Sequence, residues 1–231
     1  MVIDPKRDIF KTTSPVYLES NICRLTAEDY DFIRLHGNAQ KYKHNEVIIY
    51  SDTIIDKLLF IIKGYVRCSI INSQGLEKIL HYNDMFIALE SFFHEQPCAY
   101  QAIAMDDVEL LVVERNKSDT VLSRKNIRDA FLKALSLRCR ILGWQLNGAI
   151  ISKPLCKVSR IICSYYSLER DKQKIKLTHQ EIASLAGLHR VTVTNSLKSL
   201  KKMGVIDTDS REGIKIKDWP KLSRIGFDSR Y

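Results

Sequence analysis

The sequence predicts an α+β chain: an antiparallel barrel or sandwich of short strands, then one long helix, then a winged helix-turn-helix. Three observations carry that prediction. Between residues 40 and 114, short runs rich in Ile, Val, Tyr and Leu alternate with turn residues; residues 126–151 hold one unbroken helical pattern; and the net charge of +9 is confined to the last part of the chain. Residues 1–152 carry 19 Lys+Arg and 19 Asp+Glu, whereas residues 153–231 carry 17 against 8. A neutral module joined to a basic one points to a polyanionic partner for the second.

The 231 residues include 45% hydrophobic residues with only 9 Gly and 5 Pro, which excludes collagen-like, low-complexity and wholly disordered chains. The longest purely apolar run, Leu58 to Ile62, falls far short of the ~18 residues that span a bilayer, and the N-terminus has no signal-peptide core. A soluble cytoplasmic protein without a membrane partner is expected. Cys23, Cys68, Cys98, Cys139, Cys156 and Cys163 form no CxxC pair, so no metal site is expected. They read as small buried residues, with a redox-sensing thiol as the alternative.

Along the chain, residues 26–37 read as a helix with Thr26 as N-cap, Asp29 in the first turn and Gly37 as stop. Strands are expected at Val47–Tyr50, Leu58–Lys63, Tyr65–Ile71, Lys78–Tyr82, Tyr100–Ala104 and Val108–Glu114, separated by turn signals such as Lys63-Gly64 and Asn72-Ser73-Gln74-Gly75. From Asn126 to Ile151, Ile127, Phe131, Ala134, Leu135, Ile141, Leu142 and Ala149 recur at spacings of three and four. That seam suits pairing with a second copy, with Ile127, Phe131, Ala134, Leu135 and Leu142 in the interface; packing on the barrel of the same chain is the other reading. Arg138 interrupts the seam, and its guanidinium needs an anionic partner.

Lys153-Pro154 breaks the long helix. Leu155–Leu168 is again helical, Lys174–Leu177 reads as a short strand, and Thr178 with Glu181 forms a capping box ahead of Gln180–Ala186. Gly187 turns the chain into His189–Met203. After Gly204, Val205–Asp207 and Ile214–Lys217 flank Ser210-Arg211-Glu212-Gly213 as a hairpin. Two short helices, a glycine turn and a basic hairpin make a winged helix-turn-helix, whose second helix lies in the DNA major groove. The base-edge candidates are Arg190 for guanine, Asn195 for adenine, and Val191 and Thr194 for thymine methyls. Thr178, Gln180, His189 and Thr192 are assigned to phosphates, with Arg211 and Lys215 on the wing. Lys198, Lys201 and Lys202 are either further contacts or a solvated face. No Gly-rich phosphate loop, HExxH or nucleophile elbow is present, and no enzyme activity is expected.

The run from Leu177 to Ile206 resembles the DNA-binding motif of the CRP/FNR superfamily of bacterial transcription regulators, and Leu59-Phe-Ile-Ile-Lys-Gly-Tyr-Val66 resembles that family's β-roll signature. The resemblance implies a β-roll of the cyclic-nucleotide-binding type with its N-terminal segment over residues 1–125, a dimerisation helix over 126–152 and the DNA-binding domain over 153–231. It also implies an effector-gated homodimer that binds an inverted repeat and contacts RNA polymerase. The stretch from Asn83 to Ala102 departs from the cyclic-nucleotide members, because it holds no glycine and no Lys or Arg to receive a phosphate. The N-terminal cysteine cluster of the iron–sulfur members is also missing. A haem would have to use His81 or Cys68, and a lone strand histidine is read as structural.

Within the superfamily the chain is similar to halophenol-responsive activators of reductive dehalogenation. The shared features are His189 to Val193 at the start of the recognition helix, the missing phosphate cassette, and a basic residue seven before a Gln (Arg138, Gln145). Those activators have lysine there; arginine stays charged and forks onto a carboxylate. The expected effector is an anionic, aromatic organic molecule with its charge on Arg138 and its body against Leu89, Phe92 and Tyr100. Two alternatives stay open: Arg138 pairing with a carboxylate across a dimer interface, and a redox-, haem- or metal-responsive regulator of the same fold. No resident cofactor is expected.

Overall fold

Thr26 opens the first helix as its place ahead of an acidic turn predicts. Its hydroxyl accepts the Asp29 amide, and the Asp29 carboxylate accepts the Thr26 amide at 2.9 Å, starting α1 (Ala27–His36). The computed structural model describes Cys23 and residues 25–83, 85–151, 153–166, 177–209 and 213–227. They fall into two compact units that divide between Arg140 and Ile141, so the first part of the long helix belongs with the strands.

Eight strands follow α1: β1 (Asn38–Tyr42), β2 (Val47–Ile49), β3 (Lys57–Lys63), β4 (Val66–Ile71), β5 (Glu77–Asn83), β6 (Phe86–Ile87), β7 (Gln101–Ala104) and β8 (Val108–Glu114). A short helix, α2 (Leu89–His94), lies between β6 and β7. The strands form two four-stranded antiparallel sheets, ordered β1-β8-β3-β6 and β2-β7-β4-β5. Strands β1 and β6, the helix α2, and α3 (Arg115–Ser123) after β8 were not anticipated from the sequence. Their apolar residues are too few, or too irregularly spaced, to show a period.

Leu59 and Ile61 of β3 and Leu110 and Val112 of β8 pack with Val66, Cys68, Ala102 and Ala104 of the other sheet. Alternate residues of the same strands, Leu58, Phe60, Leu111 and Val113, pack on the outer face against helices. Both faces of β3 and β8 are therefore buried, which is why Leu58–Ile62 is a continuous apolar run and not an alternating one. The β3–β4 turn depends on Gly64, at φ +89°: a Cβ there would stand 2.6 Å from the Asp106 carboxylate, which accepts the Tyr65 amide at 2.8 Å.

The long helix α4 (Lys125–Ile151) corrects one expectation. Ile127, Phe131 and Ala134 are buried against their own roll and are not available to a second copy, whereas Leu135 is only half-buried beside them. The Phe131 ring lies 4.5 Å from Phe86 and 5.5 Å from Phe60. A fully buried aromatic of this kind contributes about 2–3 kcal/mol. The exposed apolar residues of α4 include Leu132 and Leu142, on another face. At its start, Arg124 donates to the Glu28 carbonyl at 2.8 Å and lies 3.6 Å from the Asp29 carboxylate, and Asn126 also donates to Asp29.

The second unit contains α5 (Pro154–Tyr166), α6 (His179–Ala186), α7 (Arg190–Lys202), the hairpin β9 (Ile206–Asp209) and β10 (Gly213–Ile216), and α8 (Trp219–Phe227). Val158 and Ile162 of α5, Ile182 of α6, Val193, Leu197 and Leu200 of α7, and Leu222 and Ile225 of α8 are among its buried side chains. Gly226 lets α8 approach α5, since a Cβ there would stand 3.2 Å from the Arg160 backbone. Helix α8 was not anticipated. The strand expected at Lys174–Leu177 lies outside the described residues except for Leu177, as does the hairpin turn at Ser210-Arg211-Glu212.

Candidate functional site

Helices α6 and α7 are set by their caps. The Thr178 hydroxyl accepts the Glu181 amide at 3.1 Å and donates to the Glu181 carboxylate at 2.8 Å, while Gly187 closes α6 at φ 62°. Thr178 was assigned to a phosphate, but its only hydroxyl proton is engaged by Glu181, so it positions α6 and does not donate outward. His179 is a link that sequence reasoning missed. Thr194 donates its hydroxyl proton to the Arg190 carbonyl at 3.0 Å and stands 3.1 Å from the His179 Nδ1, a hydrogen bond that ties α6 to α7. Of Thr194, the methyl group is what remains for a thymine contact.

The base-edge candidates lie at the start of α7. Val193, Ser196, Leu197 and Leu200 point inward, while Arg190, Val191 and Asn195 are exposed, Val191 to 71%. Thr192 is half-buried, and its carbonyl accepts the Ser196 hydroxyl at 2.9 Å. His189 is the N-cap but makes no side-chain cap bond, and the first turn of α7 holds no acid. The first-turn amides therefore present the positive end of the helix outward, as an anionic backbone requires. His189 and Gln180 are exposed, and so is Lys215 on β10; Arg211 lies outside the described residues.

The three lysines of α7 separate. Lys201 and Lys217 each stand 3.0 Å from the Asp207 carboxylate, clamping the wing to the helix. The hydrogen bonds from Lys201 and Lys217 hold the Asp207 carboxyl well below the usual carboxylate range. Lys201 is thus engaged within the domain, whereas Lys198 and Lys202 remain exposed.

A second polar cluster lies inside the roll. Arg138 of α4 is buried, donates to the Phe86 carbonyl at 2.6 Å and stands 3.6 Å from the Glu90 carboxylate of α2. An anionic partner of Arg138 thus comes from its own chain. The Tyr100 hydroxyl accepts the Ala88 amide at 2.9 Å, and the His81 ring meets Tyr100 edge-on at 5.7 Å. Burial, reinforced by the Arg138 charge, pushes the His81 imidazole down to about 3, and burial pushes the Tyr100 hydroxyl well above its ordinary value. Both are uncharged at neutral pH. The Cys98 thiol, 3.9 Å from Glu90, is pushed up to about 11, chiefly by burial.

Of the four expected effector residues, Arg138 and Tyr100 share this cluster. Leu89 and Phe92 are buried in the apolar core with Phe86 and Phe131, and the Arg115 guanidinium lies over the Phe92 ring at 4.3 Å. Glu90 was missed as a member of this cluster, and His81, read from the sequence as a structural strand histidine, lies in it. The only sequence signal for Glu90 is that it is one of three carboxylates, with Asp84 and Glu95, in the lysine-free and arginine-free stretch. Among the described residues, no group of three or more His, Cys, Asp or Glu is placed to hold a metal ion, and no helix is long and apolar enough to cross a membrane.

A β-roll followed by a winged helix-turn-helix defines a two-part DNA-binding regulator, and comparison with known proteins agrees. Residues 39–125 match the cyclic nucleotide-binding domain family and residues 157–225 match the Crp-like helix-turn-helix domain family. The two matched domains together are those of a DNA-binding transcription regulator of the CRP/FNR type. It is 21% identical over 187 residues to the HTH-type transcriptional regulator ArcR of Staphylococcus epidermidis, covering 77% of this chain and 81% of that one. Two solved structures share the fold. The c-di-GMP responsive global regulator CLP of Xanthomonas campestris matches with a TM-score of 0.73 at 15% identity, covering 83% of this chain and 99% of that one. CprK complexed with OCPA matches with a TM-score of 0.67 at 18% identity, covering 86% and 93%.

Proposed function

We propose that the protein is an effector-gated homodimer that reads an inverted-repeat DNA site, acts with RNA polymerase in the cytoplasm, and responds to a small organic anion, of aromatic character, and not to a cyclic nucleotide. The observation that carries this reading is Arg138: a cation buried inside the roll, beside the neutral Tyr100 and His81. Stretch 83–102 offers a cyclic phosphate no cation of its own, and the Ala88 amide donates to Tyr100. That the matched CprK structure is complexed with OCPA is consistent with ligand binding by a protein of this fold. Binding shifts subunit arrangements only by the ligand's differential affinity for them.

Support for a dimer comes from α4. Leu132, Leu135, Cys139, Leu142 and Leu146 follow a three-four spacing, and Leu132, Cys139, Leu142 and Leu146 are exposed. This is the seam of a two-stranded coiled coil. Two recognition helices related by a two-fold axis then enter successive major grooves ~34 Å apart.

The test is a thermal-shift screen of the full chain and of Arg138→Met against aromatic carboxylates, halogenated phenols and cyclic AMP. An aromatic acid should raise the melting temperature of the wild type and not of the variant. A shift with cyclic AMP that survives in Arg138→Met would overturn the reading.

A further inference from the structure

His179 and Thr194 meet where α6 and α7 cross, and both are placed by local signals. His179 is the first residue of α6, fixed by the capping box of Thr178 and Glu181, and Thr194 lies just past the first turn of α7. Ile182 and Leu185 of α6 and Val193 and Leu197 of α7 are buried, and the Leu188 amide donates to the Ala183 carbonyl at 3.0 Å as the chain turns at Gly187. In that placement the His179 Nδ1 is hydrogen-bonded to the Thr194 Oγ1 at 3.1 Å. A threonine inside a helix divides between two rotamers, because its hydroxyl reaches a carbonyl of the preceding turn from either one. The bond from Thr194 to the Arg190 carbonyl, at 3.0 Å, therefore leaves the rotamer open, and the His179 ring on one side of the hydroxyl closes the choice. Ser196 and Ser199 make the same backward bond at 2.9 and 3.0 Å, but among the described residues only the Thr194 hydroxyl has a second side chain holding it.

We infer that His179 is a positioning residue for base specificity: it holds the Thr194 hydroxyl against α6 and so presents the Thr194 methyl to the 5-methyl group of one thymine in the bound site. This rests on reading the start of α7 as the base-reading surface. Thr194 follows Val191 by three positions and Arg190 by four, so it shares the face on which those two are exposed. A hydroxyl turned to that face would donate to or accept from almost any base edge, whereas a methyl group matches the one apolar feature of the major groove, the thymine methyl. The rotamer that His179 selects thus makes the contact a discriminating one.

The experiment selects a site from a random library with the full chain, at low salt and with the aromatic acids of the thermal-shift screen present, and then replaces each thymine of that site in turn by deoxyuridine, which lacks only the 5-methyl group. The wild type should bind about fourfold more weakly when one particular thymine loses its methyl, the worth of one buried apolar carbon. Thr194→Ser, which keeps the hydroxyl and drops the methyl, should bind the thymine and uracil forms alike at that position and so identify it. His179→Ala should lose most of the same discrimination and keep the wild-type ratio at every other thymine. His179→Asn, whose amide reaches the place of Nδ1, should restore it. If His179→Ala does not fold, His179→Gln, whose amide reaches past that place, reads the same loss. A His179 variant that weakens binding to the thymine and uracil forms equally at every position has a merely structural role, and that result would overturn the proposal. Thymine-to-uracil ratios that Thr194→Ser leaves unchanged everywhere would instead strike Thr194 from the base contacts, and a wild type that enriches no sequence would overturn the reading of α7 itself.

Discussion

The Tyr100 hydroxyl accepts the Ala88 amide at 2.9 Å, and Ala88 holds that amide in a left-handed conformation at φ 55°. A non-glycine residue in that region is strained, and it persists where surrounding contacts over-determine it. The junction between β6 and α2 is therefore fixed by a side chain at the entrance to β7, and the backbone donor it offers is taken.

Replacing Tyr100 by Phe keeps the ring and removes the acceptor. The buried Ala88 amide then has no partner, at a cost of about 1–3 kcal/mol. Urea unfolding of the full chain should show this as a lower midpoint, and an unchanged midpoint would remove the bond from the account of the junction.

Asp29 is predicted to govern acid sensitivity of the first unit. Burial raises its carboxyl, but bonds from the Thr26 amide and hydroxyl and from Asn126, with the Arg124 charge, outweigh that and hold it below its ordinary value. A carboxyl depressed in the folded state stabilises above its unfolded value near 3.8 and loses that contribution as the pH falls through the folded value. Asp29→Asn should cost about 1–2 kcal/mol at pH 7 and flatten the acid limb of the stability curve. An acid limb as steep as the wild type's would place the sensitivity elsewhere.

At the recognition helix, Val191→Glu should turn base preference toward cytosine-containing half-sites, because a carboxylate accepts from cytosine N4. Selection from a random library reads this directly, and an unaltered consensus would take Val191 out of the groove. Binding of the wild type should weaken steeply with salt as phosphate-bound counter-ions are released.

The two faces of α4 should respond differently to one chemical change. Phe131→Glu places a charge in the roll's own core and should prevent folding. Leu142→Glu alters a side chain that is 51% exposed and should leave the fold intact while producing a monomer in sedimentation. A Leu142→Glu dimer of wild-type strength would exclude that face as the interface.

Much of the second unit was legible because its signals are local. Thr178 and Glu181 cap a helix from three residues apart, and Gly187 marks the turn by its own conformation. The long runs in β3 and β8 were legible for a related reason: strands buried on both faces need apolar residues at every position. Helix α3 was not legible, because its nine residues bury only Ser118 and Val121. Strand β6, at two residues, is held by pairing with β3 and carries no period of its own.

By itself, the sequence determined the two-part order of the protein, the separation of its charge, and the recognition helix with its outward Arg190, Val191 and Asn195, all from interactions between near neighbours. It also identified Arg138 as a cation that needed an anion. Tertiary structure alone brought Glu90, and the Phe86 carbonyl 52 residues back along the chain, to Arg138, since they reach it only when α2 and α4 pack on the same roll. It decided, too, that Ile127 and Phe131 serve the core of their own chain, and that Lys201 clamps the wing through Asp207. A three-four spacing specifies that a helix has an apolar face, but the partner of that face is set by the surfaces folding brings against it.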